Sequence, residues 1–124
     1  MAKILIVDDD IQTTKLLELL LAERGYEATS VNDSSQAIKV AKLENPDLIV
    51  LDLMMPEPDG FKVCRTLRED AQFIFTPILI VTALDDTDSK IVAYGAGADN
   101  YLIKPYDIDD LADTIKRMLR EDIK

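Results

Sequence analysis

The sequence has no histidine and no tryptophan among its 124 residues, and it has a single cysteine, Cys64. Without histidine the chain cannot be a histidine phosphocarrier, form a Ser-His-Asp triad or build a metal site on imidazole. One cysteine cannot form an internal disulfide, and the helical spacing of Cys64 from Phe61 and Leu67 predicts a buried packing role. These absences exclude several classes of site before any motif is considered.

Long apolar runs and basic residues are also scarce. No run approaches the roughly 18 apolar residues of a membrane-spanning helix, and the first residues lack a signal-peptide pattern. We therefore expect a cytoplasmic chain with no membrane partner. The 14 Lys and Arg residues face 24 Asp and Glu residues, for a net charge of −10 without a basic stripe, which argues against direct nucleic-acid binding. With 48% hydrophobic and 31% charged residues, the composition predicts one globular domain over residues 1–124.

Four short apolar runs each end at a polar residue suited to phosphoryl chemistry. They are KILIV before Asp8 and Asp9, LIVL before Asp52, ILIV before Thr82, and YLI before Lys104. Continuous Val, Ile and Leu runs of this length are typical of strands in a parallel sheet that helices cover on both faces. Parallel strands end at the same edge, so we expect these five side chains to gather there.

Segments with helical periodicity separate the runs. Their apolar stripes are Leu16, Leu17, Leu20 and Leu21, then Ala37, Ile38 and Ala41, then Phe61, Cys64 and Leu67, and finally Ile108, Leu111, Ala112, Ile115 and Leu119. Gly25 marks the end of the first helix, and Asp107 is the predicted N-cap of the last. Residues 86–94 form the weakest helix candidate.

Strands and helices thus alternate five times, which predicts an α/β fold with a doubly wound parallel sheet. The flavodoxin-like (βα)5 order 2-1-3-4-5 fits best because it places the two weakest strands, the second (around residues 28–31) and the fifth, at the edges. In that order the topological switch point lies between the first and third strands. Those strands end at Asp8 and Asp9 and at Asp52, so the binding crevice and the carboxylates coincide.

Three neighbouring carboxylates repel one another and need a cation or a shared proton at neutral pH. Oxygen ligands without nearby histidine or cysteine suit Mg²⁺, which keeps several waters. For Asp8 or Asp9 alone, a solvated residue at a strand end is the simpler interpretation. That interpretation weakens because Asp52, Thr82 and Lys104 recur at the same edge.

The segments ILIVDDD, LIVLDLMMPEPDG, ILIVTA and GADNYLIKP resemble the receiver domain of two-component response regulators, over residues 3–119. The resemblance implies that Asp52 is the phosphoacceptor. It also implies that Asp8 and Asp9 hold Mg²⁺ together with Asp52 and the backbone carbonyl of Met54. Thr82 and Lys104 would then contact the bound phosphoryl group.

The resemblance further implies how the site switches and resets. Thr82 moves toward the phosphoryl group, Tyr101 turns inward, and the small side chain of Ala83 leaves the group room to enter. The bond between Lys104 and Pro105 resembles one that is cis in this family and aims the ammonium into the crevice.

Two further positions bear on the lifetime of the phosphoryl group. In the family that the sequence resembles, the side chains two positions after the phosphoacceptor and two after the threonine flank the line along which water approaches. Here these residues are Met54 and Leu84, and both are apolar. We therefore expect slow autodephosphorylation.

The implied function is a phosphorylation-activated signalling switch and not a metabolic enzyme, one that assists only its own phosphorylation and dephosphorylation. A histidine kinase or histidine phosphotransfer protein would supply the phosphoryl group. The fourth helix, fifth strand and fifth helix would relay the change to a target protein or to an output domain after residue 124. Gly95, Asn100 and Thr114 stand where the winged-helix subfamily places charges, so we expect a weak dimer or none before phosphorylation.

Two other functions compete with this one. A Mg²⁺-dependent aspartyl-phosphate phosphohydrolase would place a second aspartate two residues after the nucleophile, but Met54 stands there and cannot transfer a proton. A pseudo-receiver would bind partners without being phosphorylated, which the complete acidic set and Lys104 argue against.

Overall fold

Strands and helices alternate along residues 1–121, the part of the chain that the computed structural model describes. The strands are β1 (Lys3–Val7), β2 (Glu27–Val31), β3 (Leu48–Leu51), β4 (Ile78–Thr82) and β5 (Asn100–Ile103). The helices are α1 (Ile11–Glu23), α2 (Ala37–Glu44), α3 (Gly60–Glu69), α4 (Thr87–Ala96) and α5 (Ile108–Glu121), with short 3-10 turns at Ser34–Gln36 and Ala71–Phe73. None of the helices in this part of the chain is long and apolar enough to cross a bilayer.

The strands form one parallel sheet in the order β2-β1-β3-β4-β5. This confirms the flavodoxin-like fold and the edge position of β2. Val7 pairs with Leu51 in the register between β1 and β3. The residues that follow, Asp8 and Asp52, therefore emerge side by side at the carboxyl edge of the sheet.

Helices cover both faces of the sheet, which explains why its central strands are continuously apolar. On one face α1 and α5 pack against alternate strand residues, through Leu17, Leu21, Leu111, Ile115 and Met118. On the other face α2, α3 and α4 contribute Ala37, Ala41, Val63, Cys64, Leu67, Ala93 and Ala96. Each fully buried Leu or Ile side chain stabilises the fold by roughly 1.5–3 kcal/mol relative to its exposed state.

The predicted stripe of α1 is wrong in one respect. Leu16 is 59% exposed, while Leu17 and Leu21 are buried together with Thr14. An α-helix has 3.6 residues per turn, so positions 14, 17 and 21 share the face toward the sheet and Leu16 points away from it. The leucine-rich run hides this because it is apolar on two sides of the helix.

The weakest helix candidate forms α4, which its own ends stabilise. The carboxylate of Asp86 accepts hydrogen bonds from the Ser89 amide and hydroxyl at 2.9–3.0 Å, an N-cap arrangement. At the other end Gly97 has a φ of 114°, which glycine adopts at little cost. Only Ala93 and Ala96 of this helix are buried, so little apolar area holds it to the sheet.

Cys64 has the packing role that its spacing predicts. Its side chain is fully buried, and its thiol contacts the backbone oxygen of Ala96 at 3.6 Å. Burial raises the pKa of this thiol to about 11. At neutral pH the group is therefore a neutral thiol that joins α3 to α4.

The backbone packs closely around Gly60, at the carboxyl edge of the sheet, and Gly95, near the end of α4, provides a comparison. A Cβ on Gly60 would lie 2.1 Å from the carbonyl oxygen of Asp52 and 2.5 Å from the Cα of Leu53, whereas a Cβ on Gly95 would meet nothing within 4 Å. We expect Gly60→Ala to lower the free energy of unfolding by roughly 1–3 kcal/mol, because backbone must move. Gly95→Ala should raise it by about 0.5–1 kcal/mol, because alanine is the better helix former.

Urea denaturation of both variants measures the contrast. Equal effects of the two substitutions would contradict the close contact between the start of α3 and the backbone of Asp52.

Candidate functional site

The crevice between the ends of β1 and β3 holds two carboxylates on one ammonium. The Lys104 Nζ lies 2.9 Å from the Asp8 Oδ2 and 3.0 Å from the Asp52 Oδ2. The side chains of Asp8 and Asp52 are only 7% and 9% exposed, and that of Lys104 is 26% exposed. The lysine thus supplies the cation that two adjacent carboxylates require.

Backbone groups fix both carboxylates. The Asp8 Oδ1 accepts a hydrogen bond from the Asp10 amide at 3.0 Å, and the Asp52 Oδ1 accepts one from the Met54 amide at 3.0 Å. Asp10 in turn caps α1 by accepting from the amide of Gln12 at 3.1 Å. Each loop therefore turns back on its own aspartate, and one oxygen of each carboxylate remains directed at Lys104.

The protonation equilibria reflect burial and pairing. Burial raises the pKa of Asp8, although hydrogen bonds from the Asp10 amide and Lys104 oppose the rise. Burial disfavours the charged form of Lys104, but hydrogen bonds to Asp8 and Asp52 outweigh it, and its pKa is raised. Lys104 is consequently protonated throughout the neutral range.

Thr82 and Tyr101 lie on the neighbouring strands and both contact the segment after β4. Thr82 is buried, and its hydroxyl oxygen accepts from the Leu84 amide at a long 3.5 Å. The Tyr101 hydroxyl donates to the backbone oxygen of Leu84 at 2.6 Å. The Lys90 Nζ lies 6.0 Å from the centroid of the Tyr101 ring, and Tyr94 packs beside that ring with centroids 6.4 Å apart. The position of Tyr101 is thus coupled to the segment that leads into α4.

The remaining predicted residues differ in their exposure to solvent. Met54 is 54% exposed, Leu84 is partly buried against the core, and Ala83 is exposed. The peptide bond between Lys104 and Pro105 is cis.

Asp9 differs from the other two aspartates. Its side chain is exposed, so the structure brings two of the three carboxylates onto Lys104 and leaves the third at the surface beside them. Within residues 1–121 no three Asp, Glu, His or Cys side chains are close enough to hold one metal ion.

The donor set nevertheless fits Mg²⁺. Asp8 and Asp52 already direct two hard oxygens at one cation, the Lys104 ammonium, at the mouth of the crevice. Magnesium in proteins commonly binds one or two carboxylates and keeps its remaining waters, so it does not require a cage of three. Asp8, Asp9, Asp52 and the Met54 carbonyl are the groups that would hold it.

Sequence reasoning missed a layer of polar residues behind the crevice. Asn32 and Ser34, which follow β2, make hydrogen bonds to the loops that carry the aspartates. Their signal was a polar pair directly after an edge strand, where a solvated turn is the ordinary expectation. A second cis bond, between Glu57 and Pro58, was also missed.

The fold and the crevice together define a class of signalling domain in which an aspartate at the switch point of a parallel sheet is paired with a lysine. The chain matches the response regulator receiver domain over residues 4–116, and it belongs to that family. Such domains act as phosphorylation-activated switches and not as metabolic enzymes.

Curated relatives include transcriptional regulators. The chain is 41% identical over 118 residues to the alkaline phosphatase synthesis transcriptional regulatory protein PhoP of Bacillus subtilis, covering 95% of this chain and 48% of that protein. It is 39% identical over 120 residues to the DNA-binding dual master transcriptional regulator RpaA of Synechocystis, covering 97% of this chain and 50% of that protein. The chain therefore spans about half the length of these relatives.

Solved receiver domains have the same architecture. The chemotaxis protein CheY4 of Vibrio cholerae superposes with a TM-score of 0.90 at 33% identity, covering 95% of this chain and 98% of that one. The BeF3-activated N-terminal receiver domain of Klebsiella pneumoniae RstA superposes with a TM-score of 0.89 at 31% identity, again covering 95% and 98%.

The ion pairs of the crevice should matter more to stability than those at the surface. Lys104→Met leaves two buried carboxylates without a cation, and we expect it to lower the free energy of unfolding at pH 7 by about 1.5–3 kcal/mol. Lys62→Met is the matched control, because Lys62 pairs with Glu57 at 2.7 Å but both side chains are more than half exposed. Solvent screens such a surface pair, so we expect Lys62→Met to leave the free energy of unfolding almost unchanged.

The stability difference between wild type and Lys104→Met should depend on pH. As the pH falls through the raised pKa of Asp8, one carboxylate is neutralised and the missing cation matters less. The difference between wild type and Lys104→Met should therefore shrink from pH 7 toward pH 4, as measured by chemical denaturation. A difference that grows on acidification would contradict the proposed pairing.

Proposed function

We propose that Asp52 accepts a phosphoryl group from a phosphohistidine and that Lys104, Thr82 and a Mg²⁺ ion assist. The observation that carries the proposal is the Lys104 ammonium held between the oxygens of Asp8 and Asp52. It puts a positive charge beside the candidate nucleophile, in a crevice at the switch point of the sheet.

The chemistry follows from the positions of the side chains. An oxygen of Asp52 attacks phosphorus, the P–N bond to the donor imidazole breaks, and an acyl phosphate forms on Asp52. Lys104 reaches this carboxylate and can follow the charge onto the phosphoryl oxygens, while the Thr82 hydroxyl can donate to one of them. Asp8, Asp9, Asp52 and the Met54 carbonyl would hold a Mg²⁺ ion, which would supply further positive charge to offset that of the phosphoryl group. The contribution of the protein is mainly positioning and electrostatic stabilisation.

The switch runs through the segment that follows β4. The Thr82 hydroxyl makes only a long contact with the Leu84 amide, so it can be recruited by a phosphoryl group at small cost. Tyr101 holds the backbone oxygen of the same residue, Leu84. A movement of Thr82 would therefore move Tyr101 and the start of α4. This supports the surface formed by α4, β5 and α5, here called the relay face, as the surface that transmits the change.

Partners follow from the family and from this surface. A histidine kinase or histidine phosphotransfer protein is proposed as the phosphoryl donor. An output domain or a target protein is proposed as the downstream partner that responds to the phosphorylated domain. Two relatives are named as transcriptional regulators, which favours a transcriptional output for the whole protein. The domain itself is proposed not to bind nucleic acid, because its charge is −10.

A strong dimer through the relay face is not favoured. Asp99 at the end of this face accepts from the Arg68 Nη2 at 2.6 Å and from the Ile78 amide at 2.9 Å within its own chain. The Arg68 guanidinium also donates to backbone oxygens on either side, so this carboxylate is engaged in bracing β4 and β5. We propose a weak dimer or none before phosphorylation.

Phosphorylation can be tested by mass. Incubation with acetyl phosphate and Mg²⁺ should add about 80 Da to the intact chain, as one phosphoryl group does. Asp52→Asn should abolish the gain, because an amide oxygen is a poor nucleophile, and Asp113→Asn, at an exposed position of α5, should leave it unchanged. Absence of a gain in the wild type would favour a pseudo-receiver.

The lifetime of the phosphoryl group gives a second test. Met54 and Leu84 are apolar and flank the proposed approach of water, so neither can orient a nucleophile. Losing such orientation slows a reaction by about 10². We expect phospho-Asp52 to decay markedly faster in a Met54→Asn, Leu84→Glu double variant than in wild type. Decay is followed by intact mass after the donor is removed, and equal rates would contradict the shielding.

A further inference from the structure

The segment from Asn32 to Ser34 joins β2 to the first 3-10 turn and contacts both loops of the crevice. One loop, residues 8–10, follows β1 and carries Asp8 and Asp9. The other, residues 52–59, follows β3 and carries Asp52 and Met54. We call the segment of residues 32–34 the brace.

Asn32 ties the brace to the first loop. Its side-chain amide donates to the backbone oxygen of Asp8 at 2.9 Å and to the Thr14 Oγ1 at 2.9 Å. Thr14 is 1% exposed and donates its own hydroxyl to the Ile11 backbone oxygen at 3.0 Å. The Asp8 backbone is thus held through Asn32 to the buried face of α1.

Ser34 ties the brace to the second loop. Its hydroxyl donates to the backbone oxygen of Pro56 at 2.9 Å, and Ser34 is 6% exposed. Pro56 lies two residues after Met54, whose carbonyl is a proposed ligand. The two hydrogen bonds are independent of each other and of the Lys104 ion pairs.

We propose that Asn32 and Ser34 are positioning residues that set the separation of the two halves of the Mg²⁺ site. This proposal rests on the proposed function of that site. The aspartates on β1 and the groups after β3 belong to different loops, and the brace contacts both. Magnesium demands near-ideal octahedral geometry, and outer partners of metal ligands typically control affinity by about 10–100-fold. Without its hydrogen bond to the brace, a loop can adopt more conformations, and few of these place its ligand atoms in the octahedral geometry that magnesium needs.

The brace makes a distinctive prediction about ion selectivity. Calcium accepts longer and less regular coordination than magnesium, so loose loops should bind it with less penalty. Asn32→Ala and Ser34→Ala should each weaken Mg²⁺ binding by about tenfold. Each should weaken Ca²⁺ binding less, so that the ratio of the two dissociation constants shifts toward calcium.

The test is titration of the full chain with MgCl₂ and with CaCl₂, followed by amide chemical shifts in NMR, without a phosphodonor. Thr29→Val is the matched control. It lies on β2 a few residues before the brace and loses a hydroxyl hydrogen bond to Glu44 of 3.2 Å that touches neither loop. It should lower the melting temperature comparably and leave both dissociation constants unchanged. If Asn32→Ala does not fold, Ser34→Ala, which removes one oxygen, decides the matter.

Each outcome bears on the proposal. Equal losses for both ions, unchanged affinities, or the same change in Thr29→Val would overturn the positioning role, as would a wild type that binds no Mg²⁺. A parallel incubation of wild type with acetyl phosphate separates the two claims. A wild type that binds Mg²⁺ and gains the phosphoryl mass, beside brace variants that behave like Thr29→Val, would remove the brace and leave the proposed function standing.

Discussion

Two negative charges buried next to each other are the constraint around which this domain is arranged. Parallel pairing of β1 with β3 brings Asp8 and Asp52 to adjacent positions, and neither can reach bulk water freely. Lys104, which directly follows β5, offsets the repulsion between them, because its Nζ lies about 3 Å from an oxygen of each carboxylate. Without that ammonium the same register would be a source of instability. With that ammonium, two carboxylates share one positive charge, so the crevice remains negatively charged. An additional cation or an incoming phosphoryl group would change that charge.

The fold and the location of the site could be predicted because they depend on patterns that repeat along the chain. Continuous apolar runs indicate strands that are buried on both faces. Each run ends at or next to a polar residue, and the structure places that residue at the carboxyl edge of the sheet. The strand order followed from the weakness of the second and fifth strands, which predicted that they lie at the two edges. Leu16 was misplaced because a leucine-rich helix carries two apolar stripes and the sequence does not say which one faces the sheet.

Contacts between distant polar side chains could not be predicted in the same way. The hydrogen bonds of Asn32 and Ser34 depend on how closely two loops pass the end of an edge strand. The four backbone and side-chain partners of Arg68 likewise depend on the packing of α3 beneath β4 and β5. In both cases the residue type is ordinary for a surface turn or helix end, and only the three-dimensional surroundings distinguish it. The exposed side chain of Asp9 belongs to the same group, because a run of three aspartates does not indicate that the first is buried and the other two are exposed.

The hydrogen bond from Tyr101 goes to the backbone of residue 84 and not to its side chain. Any amino acid at that position offers the same carbonyl oxygen, so the contact survives substitution of the leucine. The side chain, proposed to govern how long the phosphoryl group persists, is therefore free to vary on its own. If the proposed roles of residue 84 hold, response duration and signal transmission can vary independently of each other, although a single residue contributes to both.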